Sequence, residues 1–221
     1  MNFYKKTALF LCFSLCIFFS VNTAFSTQFS GDDYNVPIDY SKIDKTALAD
    51  QANLMYTHFE QITEKEYRKK YILPLLNMYC ILQNMAPGDP FYATRVGVLY
   101  DELGGHDDLA KSNLYKATNI DPNYGYSFYS FGNFYFSRGQ LRRAIEKYKQ
   151  AVNVDSNYLY DRNLKMGIIY EKLGDYRNSV FYYKEAYRLQ NSKDLYNKIL
   201  LLEDLNSKDM LYHKWVEKYS K

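Results

Sequence analysis

Three histidines, His58, His106 and His213, are the side chains best suited to proton transfer or metal ligation near neutral pH. None has a second His, a Cys or a carboxylate at a spacing that recurs in metal sites. The chain has no glycine-rich phosphate loop, no serine nucleophile elbow and no zinc-protease pair. His106 stands in Gly104-Gly105-His106-Asp107-Asp108, the composition of a solvated turn. Cys80 sits in the apolar run Leu75 to Leu82, where a thiol packs as a small hydrophobe. The residues with chemical capacity therefore form no recognisable constellation. The expectation is a protein that is not an enzyme and carries neither cofactor nor metal, with an enzyme assembled from distant residues as the remaining alternative.

Composition narrows the class further. The 221 residues are 47% hydrophobic and 18% aromatic with ten glycines and five prolines, which excludes a disordered or collagen-like chain. Asn2 to Lys6 is a short positive segment, Thr7 to Val21 an uncharged apolar run of fifteen residues, and Ala24 and Ser26 are small. These are the parts of a secretory signal over 1–26, cleaved after Ser26. The run is shorter than the ~20 residues that span a bilayer, so a retained leader would add only weak membrane association. Cys12 and Cys16 leave with the leader, so Cys80 can form no internal disulfide. Lys5 and Lys6 leave too, and the 28 basic against 25 acidic residues become 26 against 25. A mature charge of +1 argues against nucleic acid as partner. The expected location is periplasmic or secreted.

What remains must be held by packing, and the packing residues are periodic. Gly97, Gly132 and Gly167 recur in steps of 35, as do Tyr100, Tyr135 and Tyr170, and Gly104, Gly139 and Gly174. Ala110, Ala144 and Ser179 follow, then Leu114, Tyr148 and Tyr183, then Ala117, Ala151 and Ala186. Each copy reads as a helix hairpin. Gly97 and Tyr100 share a face, Gly104 suits the left-handed close of the first helix, and Ala110, Leu114 and Ala117 form one stripe of the second. Glycine and alanine allow close backbone approach while tyrosines fill the wedges between copies. One hairpin cannot bury its own apolar face, so the copies must stack.

These positions resemble the tetratricopeptide repeat family. The resemblance implies an all-α fold, a right-handed α-solenoid of helix hairpins, with repeats at 90–124, 125–159 and 160–191. Pro122 stands where the family closes a repeat with proline, whereas Ser156 and Asn191 depart from it. The steps of 35 place one extra residue in the turn from Gly105 to Leu109 and one in the linker from Asp155 to Tyr160.

Flanking segments look helical but degenerate. Residues 27–40 lack helical period and read as a flexible lead. Residues 41–86 read as two helices, either a cap or a decayed repeat. Asp44 to Phe59 forms the first, Thr63-Glu64-Lys65-Glu66 is a capping box opening the second, and Pro74 kinks or divides it. Residues 192–221 read as a degenerate capping hairpin, Ser192 to Asn206 and Ser207 to Tyr219, with Ile199 on the repeat-glycine position.

The family resemblance also implies a concave partner-binding wall. Carried over from the glycines, its residues are Phe91, Thr94, Val98, Asp101 and Glu102, then Tyr126, Tyr129, Asn133, Phe136 and Ser137, then Asp161, Leu164, Ile168, Glu171 and Lys172. The middle is aromatic and the edges hold four acids against one lysine, suiting a protein or peptide with apolar anchors and basic flanks. Asn133 is placed to fix a peptide backbone. The same tyrosines alternatively serve only to pack neighbouring repeats. Thr94 and Val98 stand where a clamp for acidic chaperone tails places lysine and asparagine, and Ser130 stands in place of a second asparagine, which makes that function improbable. The expected function is a scaffold or adaptor of the cell envelope that holds extended segments, the alternative being a structural module that self-associates end to end with its groove unused.

Overall fold

The computed structural model describes residues 39–219, with side chains beyond Leu211 and at Asp209 left aside; the leader and residues 27–38 lie outside the described residues. Residues 39–43 belong to a separate unit, in which Asp39 accepts from the Ser41 amide at 3.2 Å and caps one 3-10 turn, Tyr40–Lys42. From Asp44 the described chain is helical, in nine helices: α1 (Lys45–Gln61), α2 (Lys65–Met85), α3 (Pro90–Leu103), α4 (Asp107–Ile120), α5 (Gly125–Ser137), α6 (Leu141–Gln150), α7 (Ser156–Lys172), α8 (Tyr176–Leu189) and α9 (Lys193–Tyr219).

Local chemistry sets most of the helix ends. Asp44 opens α1 by accepting from the Thr46 and Ala47 amides at 3.0 and 3.1 Å, and Asp89 opens α3 by accepting from Phe91 N at 2.9 Å, with Pro90 at the first helical position. Gly104, Gly139 and Gly174 have φ of 75, 66 and 74°, the left-handed region that closes a helix without a Cβ clash. The extra residue of the first turn is accommodated by a second positive-φ glycine, Gly105 at 71°. In the second linker Asn153 takes φ 43°.

The helices stack as an α-solenoid. Each helix packs on its sequence neighbour, and α3, α5 and α7 also touch in succession to form an inner layer. Its centre, α5, is buried nearly all round, from Ser127 through Tyr135 except Asn133. The close approaches fall on the repeat glycines: a Cβ on Gly97 would lie 2.7 Å from Leu114 Cγ, and one on Gly167 2.5 Å from Tyr183 Cδ1. One close approach falls outside the periodic set, where Gly125 presses on the Val152 carbonyl. Of the other periodic residues, Ala110, Ala117, Ala144, Ala151 and Ala186 are fully buried, Tyr135 is 7% exposed, and Tyr100 and Tyr170 are half-buried at the edge of the second core cluster.

Three expectations at the flanks are corrected. No capping box opens α2: Glu64 is its N-cap and its side chain makes no capping hydrogen bond. Pro74 does not divide α2, which runs through it for 21 residues on a stripe of buried Ile72, Leu75, Leu76, Tyr79 and Leu82. Packing along that stripe outweighs the one backbone bond that proline removes. The carboxy-terminal hairpin is instead the single 27-residue helix α9. Its expected turn, Leu205-Asn206-Ser207-Lys208, contains neither Gly nor Pro, and the Ser207 hydroxyl and Lys208 ammonium bond back one turn to Glu203 O and Asp204 at 2.9 and 2.6 Å. The register there also shifts by one. Buried pairs flank each repeat glycine in Val96-Gly97-Val98-Leu99, Phe131-Gly132-Asn133-Phe134 and Met166-Gly167-Ile168-Ile169, and the matching pair in α9 is Ile199 and Leu202. Leu200, and not Ile199, therefore takes the glycine's place.

Candidate functional site

The inner layer leaves a cavity of about 220 Å³ on the concave side. Val98, Asp101 and Glu102 reach it from α3, Tyr126, Tyr129, Ser130 and Asn133 from α5, and Tyr158 from α7, with Leu114 of α4 as floor. Tyr56 and Glu60 of α1 and Arg68 of α2 complete it. The walls are phenol rings: Tyr158 lies 4.9 Å from Tyr126 and 5.1 Å from Tyr129, centroid to centroid. Burial pushes the phenols of Tyr56, Tyr126, Tyr129 and Tyr158 upward, and the Asp161 carboxylate adds to the shift at Tyr129. They are neutral hydrogen-bonding groups at physiological pH.

A hydrogen-bonded network fixes the α5–α7 side. Tyr129 donates to Asp161 Oδ2 at 2.7 Å, and Lys165 pairs with the same oxygen at 2.6 Å. Lys165 also donates to Asn133 Oδ1 at 2.8 Å, which accepts from the Tyr148 hydroxyl at 2.7 Å. Both lone pairs of the Asn133 carbonyl are thereby used, so a ligand meets only its amide hydrogens. On the other side, the Arg95 guanidinium stacks 3.7 Å from the Tyr56 ring centroid and donates to the Tyr126 hydroxyl at 2.8 Å, with Glu60 at 3.6 Å. This tie locks α1 onto α3 and α5.

The edge acids are not free. Asp101 pairs with Arg138 at 2.7 Å, Glu102 with Arg68 at 3.0 Å, Asp161 with Lys165 at 2.6 Å and Glu171 with Lys198 at 2.5 Å. The four-to-one acidic edge expected from the register is therefore corrected to a neutral one. Three of the four cations, Arg68, Arg138 and Lys198, lie on helices or turns to which the register gave no groove position. Burial holds the Asp101 carboxyl above its ordinary value, with Arg138 opposing.

Of the wall residues, the structure brings Val98, Asp101, Glu102, Tyr126, Tyr129 and Asn133 together. Thr94 is fully buried, its hydroxyl 2.7 Å from that of Ser127 and from Pro90 O, so it packs repeat on repeat and cannot touch a partner. Phe91 packs edge-on against Tyr79 and Tyr92, and Phe136 against the second core cluster. Leu164 and Ile168 pack against the cluster of Tyr183, Leu195 and Ile199. The repeat register missed Tyr56, Glu60, Arg68, Arg95 and Tyr158. No pattern marks the first three, because α1 and α2 carry none of the periodic glycines, and Tyr158 stands in the irregular linker.

Neither His58, His106 nor Cys80 lines the cavity. His58 lies against Tyr71 and His106 against Tyr100, both away from the cavity, and burial raises the half-buried Cys80 thiol. Among the described residues no group of three or more His, Cys, Asp or Glu could hold a metal ion, and no helix is long and apolar enough to cross a membrane.

Comparison with known proteins agrees with this geometry. A TPR repeat profile matches residues 132–174 and a tetratricopeptide repeat profile residues 160–193. Small glutamine-rich tetratricopeptide repeat-containing protein 2 of Mycosarcoma maydis is 32% identical over 79 residues, which are 35% of this chain and 22% of that protein. Protein bimA of Emericella nidulans is 26% identical over 97 residues, 44% of this chain and 12% of that protein. The chain thus spans less than a quarter of the length of these curated relatives. The crystal structure of MamA protein superposes with a TM-score of 0.56 at 19% identity, covering 80% of this chain and 92% of that one. A thermophilic TPR protein of Thermus thermophilus gives 0.50 at 16%, covering 72% and 98%. Sequence period, glycine packing and profile matches converge on one assignment: this chain carries tetratricopeptide repeats, matched over 132–193, in an α-solenoid fold shared with the solved structures.

Proposed function

We propose that the protein is a non-catalytic interaction scaffold that holds an extended segment of a partner protein in its concave groove, outside the cytoplasm. Proteins built of these repeats are generally protein-interaction scaffolds. The observation that carries the groove reading is the neutral, tyrosine-walled cavity lined jointly by α1, α3, α5 and α7. Tyrosine supplies large apolar contact area with a polar tip, and the Asn133 amide adds a donor for a peptide carbonyl. With its edge acids paired, the groove favours apolar or aromatic anchors over basic flanks. The extracellular or periplasmic assignment rests on the leader at 1–26.

The test is selection of peptides from a display library on the full chain, followed by affinity measurement. Tyr158→Ala, at a half-buried wall residue, should weaken selected peptides at least about tenfold, as truncated aromatic anchors do. Phe181→Ala, exposed on α8, should leave them unchanged. Peptides that bind Tyr158→Ala as well as the parent would overturn the groove reading.

A further inference from the structure

The tyrosine-walled cavity is short of hydrogen-bond acceptors. The Asn133 carbonyl already accepts from Lys165 and Tyr148 at 2.8 and 2.7 Å. Each lining carboxylate faces a cation of the chain: Glu60 lies 3.6 Å from Arg95, Asp101 2.7 Å from Arg138 and Glu102 3.0 Å from Arg68. Even so, two buried donors beside the cavity, Arg68 Nε and Arg95 Nε, have no hydrogen-bond partner among the described residues. Orphaned buried N–H groups are rare, and this pair shows that donors outnumber acceptors locally.

What the centre still offers a ligand is hydrogen. The Asn133 amide has hydrogens to give, and so does the Tyr126 hydroxyl, whose oxygen accepts from Arg95 at 2.8 Å. The Tyr158 and Ser130 hydroxyls, which also line the cavity, add theirs. An ordinary peptide brings one N–H with every carbonyl, and an N–H enclosed among donors gives up its water without gaining an acceptor. Proline removes that N–H and leaves the carbonyl.

Resting on the groove reading above, we infer that the partner segment held there is proline-rich and lies as a left-handed polyproline II helix. In that conformation no carbonyl is used internally, so each is available to the Asn133 amide and the hydroxyls. The walls suit the side chains as well. Tyr158 lies 4.9 Å from Tyr126 and 5.1 Å from Tyr129, with Tyr126 and Tyr129 stacked at 6.1 Å, centroid to centroid, and proline rings dock on such clustered aromatic surfaces. A segment without charges matches a site whose acids and cations balance. Its backbone is restricted before it binds, so ordering it loses little entropy.

The probe is blocked decaproline, titrated onto the full chain by calorimetry, and it should bind with a Kd below about 1 mM. Replacing its central prolines by alanine returns N–H groups and should weaken binding at least about tenfold. N-methylalanine at the same places, which has no N–H, should recover part of the loss. Asn133→Asp keeps the oxygen that Tyr148 and Lys165 bond to but removes the amide hydrogens. It should melt close to the parent and lower the preference for decaproline over the alanine peptide at least about fivefold. Decaproline that does not bind, that binds no better than the alanine peptide, or that binds Tyr158→Ala as tightly as the parent overturns the inference, as does an unchanged preference in Asn133→Asp. Library peptides that depend on Tyr158 yet are poor in proline overturn it too, while leaving the groove reading standing. A library that yields no Tyr158-dependent peptide overturns the groove reading itself, and this inference with it.

Discussion

The ring of Tyr148 lies flat against the bare Cα of Gly132, so close that a Cβ on Gly132 would fall among the ring carbons Cδ1, Cε1 and Cγ. The ring is fully buried and its hydroxyl continues past the contact to Asn133 Oδ1 at 2.7 Å. One contact thus sets the α5–α6 separation and positions the asparagine of the groove.

Gly132→Leu should therefore be clearly destabilising, by ~1–3 kcal/mol or more, since overpacking here meets an immobile ring. Arg142→Gln, exposed on α6, should stay within ~0.5 kcal/mol. Thermal melts compare the two. Adding Tyr148→Ala to Gly132→Leu should cost less than the sum of the single changes, because the deleted ring makes room; strict additivity would show that the two do not touch in solution.

Arg95→Lys should loosen α1. An ammonium keeps the charge but loses the planar stack on Tyr56 and the geometry of the bond to Tyr126. The expected cost is ~1–2 kcal/mol, with hydrogen exchange accelerated in α1 relative to α5. Equal protection of α1 in variant and parent would count against the tie.

Arg138→Ala should leave the Asp101 carboxylate half-buried without its partner and cost ~1–3 kcal/mol, and Asp101→Asn in the same background should recover part of the loss. The rescue distinguishes an uncompensated charge from lost packing of Arg138 on the Phe134 ring. Urea titrations of the parent and the two variants read it.

Alkaline pH should unfold the protein through its tyrosines. Burial raises the phenols of Tyr79, Tyr129, Tyr148 and Tyr183 above the ordinary 10.0. A group raised in the fold contributes stability that is complete below pH 10.0 and is lost as pH climbs from there through the folded value. Absorbance at 295 nm should show the exposed tyrosines ionising first and the buried ones only together with loss of helical circular dichroism. Full ionisation near pH 10 with helicity intact would contradict the packing described.

The repeat architecture was legible in the residues because it rests on a steric rule that each copy repeats. A glycine must stand where a large side chain of the next helix arrives, and a positive-φ glycine must close the helix. Gly97 with Leu114, Gly132 with Tyr148 and Gly167 with Tyr183 satisfy the first, and Gly104, Gly139 and Gly174 the second. Tertiary structure decided what periodicity does not encode. It buried Thr94 and packed Leu164 and Ile168 against the cluster of Tyr183, Leu195 and Ile199, because a position on a helix face says nothing of how deeply the neighbouring repeat covers it. It brought Tyr56, Glu60 and Arg68 to the groove from helices without the repeat signature, and paired every edge acid with a cation distant in sequence or one turn away. It also ran α9 straight through Asn206-Ser207, since local helix-compatible residues and a leucine at the glycine position outweigh the weak trace of a fourth hairpin. Short-range spacing thus specified the repeats, while long-range packing determined which of their residues face a partner.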